Sequence, residues 1–542
     1  MKHVLFGRGV LLLVVLYSVV TGCRNAAAEK KAKFFPGGDP SINVRKSYSD
    51  LFLDSSSIER YIENVKPDEA TAKNLRQFYN SRDYQYAWFN KKGINEQGNS
   101  FWNAYTGYIG LTQDSSLYKE ELAKNIATFT ERQGMPLNRT LLAKTDLDLT
   151  LQFFAFIKSA YKGRMDPADV QWYIPRKQVD ALAFLDSVAN DKNNSVLQWE
   201  PLNPQYEALK KKLVLYNSVS AKGGWDPIIL PKGRTYKEGD SSAIVKAVKH
   251  RLALTEDYND ADSTGTFDNG FTETVKRSQN SFGIRQTGVI NGELINSLNV
   301  PVKKRINTMM VNLERTRWLP EASVPDKIVA NIPEFMLHVY ENNNEVLSMA
   351  IVVGRAGNKT VVFSNQLKYI VFSPYWNVPP SIVRNEIMRR GGGLGNGMEV
   401  TGHSGGLPVI RQRPGPGNAL GHVKFLFPNS YNIYFHDTPA KRLFDEEKRA
   451  FSHGCIRLAN ARALAIYLLR DDPEWDNDKI DEAMQLNHEK WVTLKKPVPV
   501  FITYFTSWVD NDGLLNFRED IYGHDKEMNK KLFSLTANDT DK

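Results

Sequence analysis

The sequence predicts a multidomain α+β protein: a helical scaffold, a small three-helix domain, and a β-rich domain with an inserted capping loop. Three observations point there. The chain has 542 residues, and at roughly 150 residues per domain that allows three or four domains. Its apolar periodicity is helical up to about residue 325 and alternates like strands beyond it. Hydrophobic residues make up 42% and charged residues 24%, which excludes long disorder and a polytopic membrane protein. The formal net charge is +9, from 70 basic and 61 acidic residues. Such an excess suits an anionic polymer, but no dense basic run points to nucleic acid.

The elements follow in order. Residues 1–23 read as a signal segment: Lys2 and Arg8 precede an apolar run from Val10 to Val20. That run is too short to span a bilayer, which takes about 20 residues, and suits a secretory signal. Val20-Thr21-Gly22-Cys23 resembles a bacterial lipobox, which implies lipidation of Cys23, export, and a lipid anchor at the periplasmic face of the envelope. Residues 24–45 read as a linker broken by Pro36-Gly37-Gly38. Residues 46–225 read as the helical scaffold. Phe153, Phe154, Ile157 and Tyr161 have helical spacing, closed by Gly163 and Pro167.

Residues 236–300 read as a compact helical module. Ile244, Val248 and Leu252 share one helix face, and Phe271, Val275 and Phe282 lie on a second helix. A connecting helix over 301–325 ends at Pro320. Residues 328–506 carry short β-branched and aromatic runs bounded by Gly, Pro and Asn. Within them, residues 380–418 read as a mobile, Gly-rich excursion. It has no Gly-Lys-Ser/Thr ending, so it is no phosphate loop. Residues 507–542 read as a C-terminal tail.

Chemistry concentrates at His436 and the run Ser452-His453-Gly454-Cys455, separated from it by fifteen residues. Cys23 and Cys455 are the only cysteines. With Cys23 lipidated, Cys455 has no disulfide partner in an oxidising compartment. A nucleophilic cysteine must be a thiolate, and a free thiol has a pKa of about 8.5. A neighbouring imidazole lowers that barrier by accepting the proton. Gly454 permits a tight turn, whose N–H groups suit an oxyanion.

These residues resemble the active-site signature of the L,D-transpeptidases, or YkuD-type domains: His, 14–17 residues, then Ser/Thr-His-Gly-Cys-x-Asn. Arg457 stands where many members have Asn. Residues 312–318, 331–335, 373–387, 411–429 and 436–444 resemble the larger YcbB-like branch. Val245, Val248, Arg251, Leu252, Gly265, Phe267, Asp268, Val275, Lys276, Gln279 and Gly283 resemble the three-helix peptidoglycan-binding domain.

The resemblance implies a peptidoglycan L,D-transpeptidase. Cys455 would attack the amide after the third residue of a tetrapeptide donor stem. A thioester would form, and a diamino-acid amine of an acceptor stem would resolve it as a 3→3 cross-link. His436 would be proton acceptor and donor, and His453 and Gly454 would shape the oxyanion turn. Ser452, Arg457, Trp376 and Tyr434 are the candidate substrate-binding residues. No cofactor or metal is expected: the remaining histidines are scattered and no His-Glu-x-x-His occurs. Two other functions share this fold, an L,D-carboxypeptidase or stem-peptide hydrolase and a non-catalytic wall-binding scaffold.

Overall fold

A computed structural model describes residues 49–112, 114, 116–131, 138–176, 179–190, 204–258, 264–319 and 324–533. The signal segment, Cys23 and the linker to residue 45 lie outside the described residues. Among the described residues, no helix is long and apolar enough to cross a membrane.

The first part of the chain is helical: α1 (Ser55–Val65), α2 (Glu69–Ser81), α3 (Glu96–Thr112), α4 (Glu120–Glu131), α5 (Arg139–Ile157), α6 (Ala181–Asn190) and α7 (Pro204–Ala221), with a ribbon of β1 (Phe89–Asn90) and β2 (Gly93–Ile94). The chain divides into two compact units, one built from residues up to Asn95 with Thr128–Thr150, the other from Glu96–Ala127 with Leu151 onward.

The first unit is organised on a buried carboxylate. Asp146 accepts from the Tyr79 hydroxyl at 2.7 Å and from the Trp88 N–H at 2.8 Å. The Trp88 indole donates to Thr150 Oγ1 at 2.9 Å. Burial pushes the Asp146 carboxyl up to about 6, and these donors offset part of the cost of enclosing a charge.

In the second unit, α8 (Ala243–Leu254), α9 (Asn269–Ser281) and α10 (Gly292–Leu298) form the three-helix module. Ser242, Asp268 and Asn291 each cap a helix through the side chain, the usual way to satisfy the first free N–H groups. Val245, Val248, Leu252, Phe271, Val275 and Leu294 fill its core. The next helix, α11 (Val302–Arg317), is buried almost throughout its second half. Its polar residues are paired: Asn312 Nδ2 donates to Thr506 Oγ1 at 2.7 Å, Arg315 meets Asp525 at 2.6 Å and Arg317 meets Glu314 at 2.7 Å.

The β-rich part begins with a strand from the scaffold segment, β3 (Trp172–Tyr173). Then come β4 (Lys327–Asn331), β5 (Met336–Glu341), β6 (Asn344–Gly354), β7 (Val362–Phe372), β8 (Trp376–Asn377), β9 (Met398–Ser404), β10 (Leu407–Gln412), β11 (Val423–Leu426), β12 (Phe435–His436), β13 (Ala450–Ser452), β14 (Ile456–Leu458) and β15 (Lys490–Thr503). The sheet runs β11-β12-β14-β6-β5-β4-β15-β7-β3, and β11 also pairs β7, so eight strands close on themselves. Alternate residues point inward: Phe435, Ile456, Leu458, Val423, Phe425 and Ile370 lie in the core. The period of two puts their neighbours on the other face.

Two expectations are corrected here. The excursion after β7 is not a bare glycine-rich loop. It folds as an antiparallel sheet β8-β10-β9, with Val378, Val383 and Ile410 buried beside Trp376, Ile382 and Met398. The segment after Thr506 is not a bare tail. It forms a ribbon of β16 (Ser507–Val509) and β17 (Leu515–Phe517), then the helix His524–Phe533. Met528 and Leu532, one turn apart on that helix, join the core of the β-rich part together with Tyr522 just before it, since an i, i+4 apolar pair gives the helix a face to bury.

Candidate active site

The sheet assembles the site by register. Strand β12 pairs β14 in parallel, with His436 opposite Arg457, and the Ile456 N–H donates to the Tyr434 carbonyl. Cys455 and Arg457 therefore share a face with Tyr434 and His436.

A dense hydrogen-bond frame holds the turn before Cys455. Gly454 adopts φ +118, a conformation that disfavours side chains. Ser452 Oγ accepts from the Gly454 N–H at 3.1 Å and donates to the Cys455 carbonyl at 2.6 Å. Thr360 Oγ1 donates to the Gly454 carbonyl at 2.8 Å and accepts from the Gly354 N–H at 2.9 Å. The Tyr522 hydroxyl donates to the Gly354 carbonyl, so the C-terminal segment reaches the turn. Ser452 thus frames the turn, and the Gly454 N–H is already engaged.

The Cys455 thiol is half-buried and donates to the Asn432 carbonyl at 3.4 Å. Asn432 sits at φ 56, a left-handed position that Asn tolerates better than most residues. Burial pushes the thiol's pKa up, while hydrogen bonds from the Tyr434 backbone and side chain and the charge of Arg457 pull it down. The Tyr434 phenol is held well above its usual range by burial and by Cys455.

His436 is buried, 4% exposed. Its Nδ1 lies 2.5 Å from the Asp437 carbonyl. A carbonyl only accepts, so Nδ1 carries the proton and the neutral ring keeps Nε2 as an acceptor. Burial, then Arg457, depresses its pKa to about 4. Asp437 is held in turn, accepting from the His422 N–H at 3.0 Å and from Lys441 at 2.7 Å. Gly421 leaves the space: an added Cβ would run into the Asp437 carboxylate. Among the described residues, no hydrogen bond joins His436 to Cys455.

The other expected residues separate. Arg457 is half-buried, and its Nε is a buried donor with no acceptor. His453 turns to the excursion: its Nε2 lies 2.6 Å from Glu386 and 3.4 Å from Arg355. Trp376 packs in the excursion's own core. Among the described residues, no three His, Cys, Asp or Glu side chains converge to hold a metal ion. Sequence reasoning missed Thr360, Asn432, Glu386 and Tyr522, which lie outside the motif and reach it only through long-range pairing.

The site thus sets a half-buried thiol on a tightly framed turn beside a buried imidazole. Residues 325–475 match the family described as "L,D-transpeptidase catalytic domain", residues 73–213 the "Scaffold domain", and residues 241–298 the "Putative peptidoglycan binding domain". The chain therefore carries an L,D-transpeptidase catalytic domain of the YkuD type. A Haemophilus influenzae protein named "Putative L,D-transpeptidase" is 28% identical over 256 residues, which cover 42% of this chain and 51% of that protein. The chain thus spans about half the length of that relative. Among solved structures, an L,D-transpeptidase from Mycobacterium smegmatis is 12% identical, with 34% of this chain and 60% of that chain covered and a TM-score of 0.19. One from Stackebrandtia nassauensis is 16% identical, with 51% and 97% covered and a TM-score of 0.22.

Proposed function

We propose that this protein is a peptidoglycan L,D-transpeptidase that forms 3→3 cross-links through a thioester on Cys455. The supporting observation is the half-buried Cys455 thiol, next to a neutral, buried imidazole and a buried, unsatisfied guanidinium N–H.

In this reading the thiol leaves the Asn432 carbonyl and gives its proton to Nε2 of His436. A depressed imidazole pKa keeps His436 neutral and ready to accept at pH 7. The sulfur attacks the carbonyl after the third stem residue, forming a carbon–sulfur bond. The carbon–nitrogen bond to the terminal D-residue breaks, and the departing amine takes the proton from His436. An acceptor amine then attacks the thioester and gives a proton to Nε2 of His436; the carbon–sulfur bond breaks, and the departing thiolate takes that proton back as a thiol. The Tyr434 phenol and Arg457 stabilise negative charge on sulfur, since each favours the thiolate. His453 is engaged by Glu386, and in this reading its role is to shape the turn. Cys23 is the proposed lipid anchor, which would place the enzyme on the periplasmic face of the envelope.

The test is product analysis by mass spectrometry after incubation with tetrapeptide stems. The proposal expects cross-linked dimers that have lost one terminal residue, absent with Cys455→Ala. Trimmed monomers without dimers would identify a hydrolase. Dimers from Cys455→Ala would remove the nucleophile.

A further inference from the structure

The turn that carries Cys455 is braced by the C-terminal segment. Strand β6 ends at Gly354, in register with Ser452 of β13, and the Arg355 N–H donates to the Ser452 carbonyl at 3.0 Å. The chain then doubles back, and a Cβ at Gly354 would run into the Asn358 carbonyl. Tyr522 grips both ends of this return. Its hydroxyl donates to the Gly354 carbonyl and accepts from the Thr360 N–H at 3.3 Å. Thr360 Oγ1 in turn donates to the Gly454 carbonyl at 2.8 Å.

Tyr522 is itself fixed. It is buried, and its ring stacks on Tyr504 with centres 5.6 Å apart. Its N–H donates to the Tyr504 hydroxyl at 2.8 Å, and its carbonyl accepts from Lys359 Nζ at 2.8 Å. The Tyr504 hydroxyl donates to Asp520 at 2.7 Å. Burial holds the Tyr522 phenol above its usual range, so it remains a donor at neutral pH.

This bracing has a consequence at the nucleophile. A trans peptide is planar, with its carbonyl and N–H on opposite sides. The bond from Thr360 to the Gly454 carbonyl therefore sets the direction of the Cys455 N–H, which points the other way. Among the described residues that N–H meets no acceptor, whereas the Gly454 N–H is engaged by Ser452. A fixed, unengaged N–H at the attacking residue suits the negative oxygen of a tetrahedral intermediate.

We propose that Tyr522 is a positioning residue for acyl transfer, aiming the Cys455 N–H at the developing oxyanion through Thr360 and the Gly454 carbonyl. The inference rests on the transpeptidase reading and extends the working site to the C-terminal segment.

The test compares two reactions of one sulfur in the full chain. Acylation by a carbapenem passes through a tetrahedral oxyanion. Alkylation by iodoacetamide displaces iodide directly and forms none. Tyr522→Phe removes the hydroxyl and keeps the ring. Its acylation should slow by about tenfold, less than the roughly hundredfold or more that follows outright loss of an oxyanion donor, while alkylation across pH stays within about twofold. Lys359 is exposed, and Lys359→Met frees the Tyr522 carbonyl without disturbing the core. It should slow acylation by a smaller factor, again sparing alkylation, and it carries the test should circular dichroism show Tyr522→Phe unfolded. Wild-type acylation in the folded variants, or acylation and alkylation slowed alike, would overturn the inference alone. Absence of an adduct on Cys455 of the unsubstituted chain would instead bring down the transfer reading, and the inference with it.

Discussion

Tyr434, rather than His436, lies directly beside Cys455 across the paired strands, and its phenol draws the pKa of the Cys455 thiol down. Register explains the arrangement: Tyr434 lies beside Cys455, and His436 beside Arg457. The sulfur thus has a donor that stabilises its charge, and the imidazole is kept neutral one step along the strand. Tyr434→Phe removes the phenolic donor and keeps the ring. The thiol's pKa should rise and acylation at neutral pH should slow by about tenfold. Alkylation rates against pH check this: an unchanged thiol titration would remove Tyr434 from that role.

Arg457 acts on both partners of the proton transfer. Burial is the larger cause of the low His436 pKa, with Arg457 second, and Arg457 also draws the thiol down. Arg457→Met should therefore move His436 from about 4 partway toward its usual value of about 6.5. The acid limb of the acylation rate should shift to higher pH and the alkaline limb should shift higher too. A profile that only scales down, without moving, would assign Arg457 to binding alone.

Thr360 links two backbone groups of the active-site turn, the Gly454 carbonyl and the Gly354 N–H. Thr360→Val keeps the shape and orphans both. Each buried unsatisfied group costs about 1–3 kcal/mol, so denaturant unfolding should shift by about 2 kcal/mol or more, with acylation impaired. Thr360→Ser should recover most of both. Wild-type stability in the valine variant would mean the turn is held elsewhere.

The pair Glu386–His453 joins the excursion to the turn at 2.6 Å. Both side chains are about a third exposed, and surface pairs of this kind contribute about 0–1 kcal/mol. Glu386→Gln should therefore leave thermal unfolding almost unchanged. Its effect should be local, with faster hydrogen exchange over residues 380–390. Exchange indistinguishable from wild type would show that the excursion is seated by its own core alone.

Buried imidazoles set the pH dependence of stability. Burial, Arg315 and Lys359 depress His524 to about 4, and His436 behaves alike. Between pH 4 and 6.5 the unfolded chain binds more protons than the folded one, so stability rises with pH across that window. His338 runs the other way. Despite burial, Glu334 and Glu345 lift it to about 10. Its contribution is complete below pH 6.5 and is lost as pH climbs toward 10. His524→Gln should flatten the acid side of the unfolding curve, and His338→Gln the alkaline side. Unchanged slopes in both variants would contradict these assignments.

Much of this was legible in the sequence because it is local. Alternation marked β5, β6 and β11, the helix faces of the three-helix module followed from spacing, and His436 and Cys455 stood out by chemistry. Strand β3 did not: two residues within a helical segment carry no period, and pairing with Val362 and Phe363 decides their state. The excursion was misread because its glycines outweighed the short apolar set Val378, Val383 and Ile410, whose burial depends on folding back. Tyr522 and Thr360 act on the turn across more than ninety residues, a distance over which no spacing rule extends.

The most direct measurement is the intact mass of the full chain quenched during reaction with a carbapenem, a β-lactam that acylates reactive thiols, followed by peptide mapping. This account predicts a single adduct on the peptide carrying Cys455, absent from Cys455→Ala and slowed by His436→Ala. An adduct of equal yield on Cys455→Ala would contradict it.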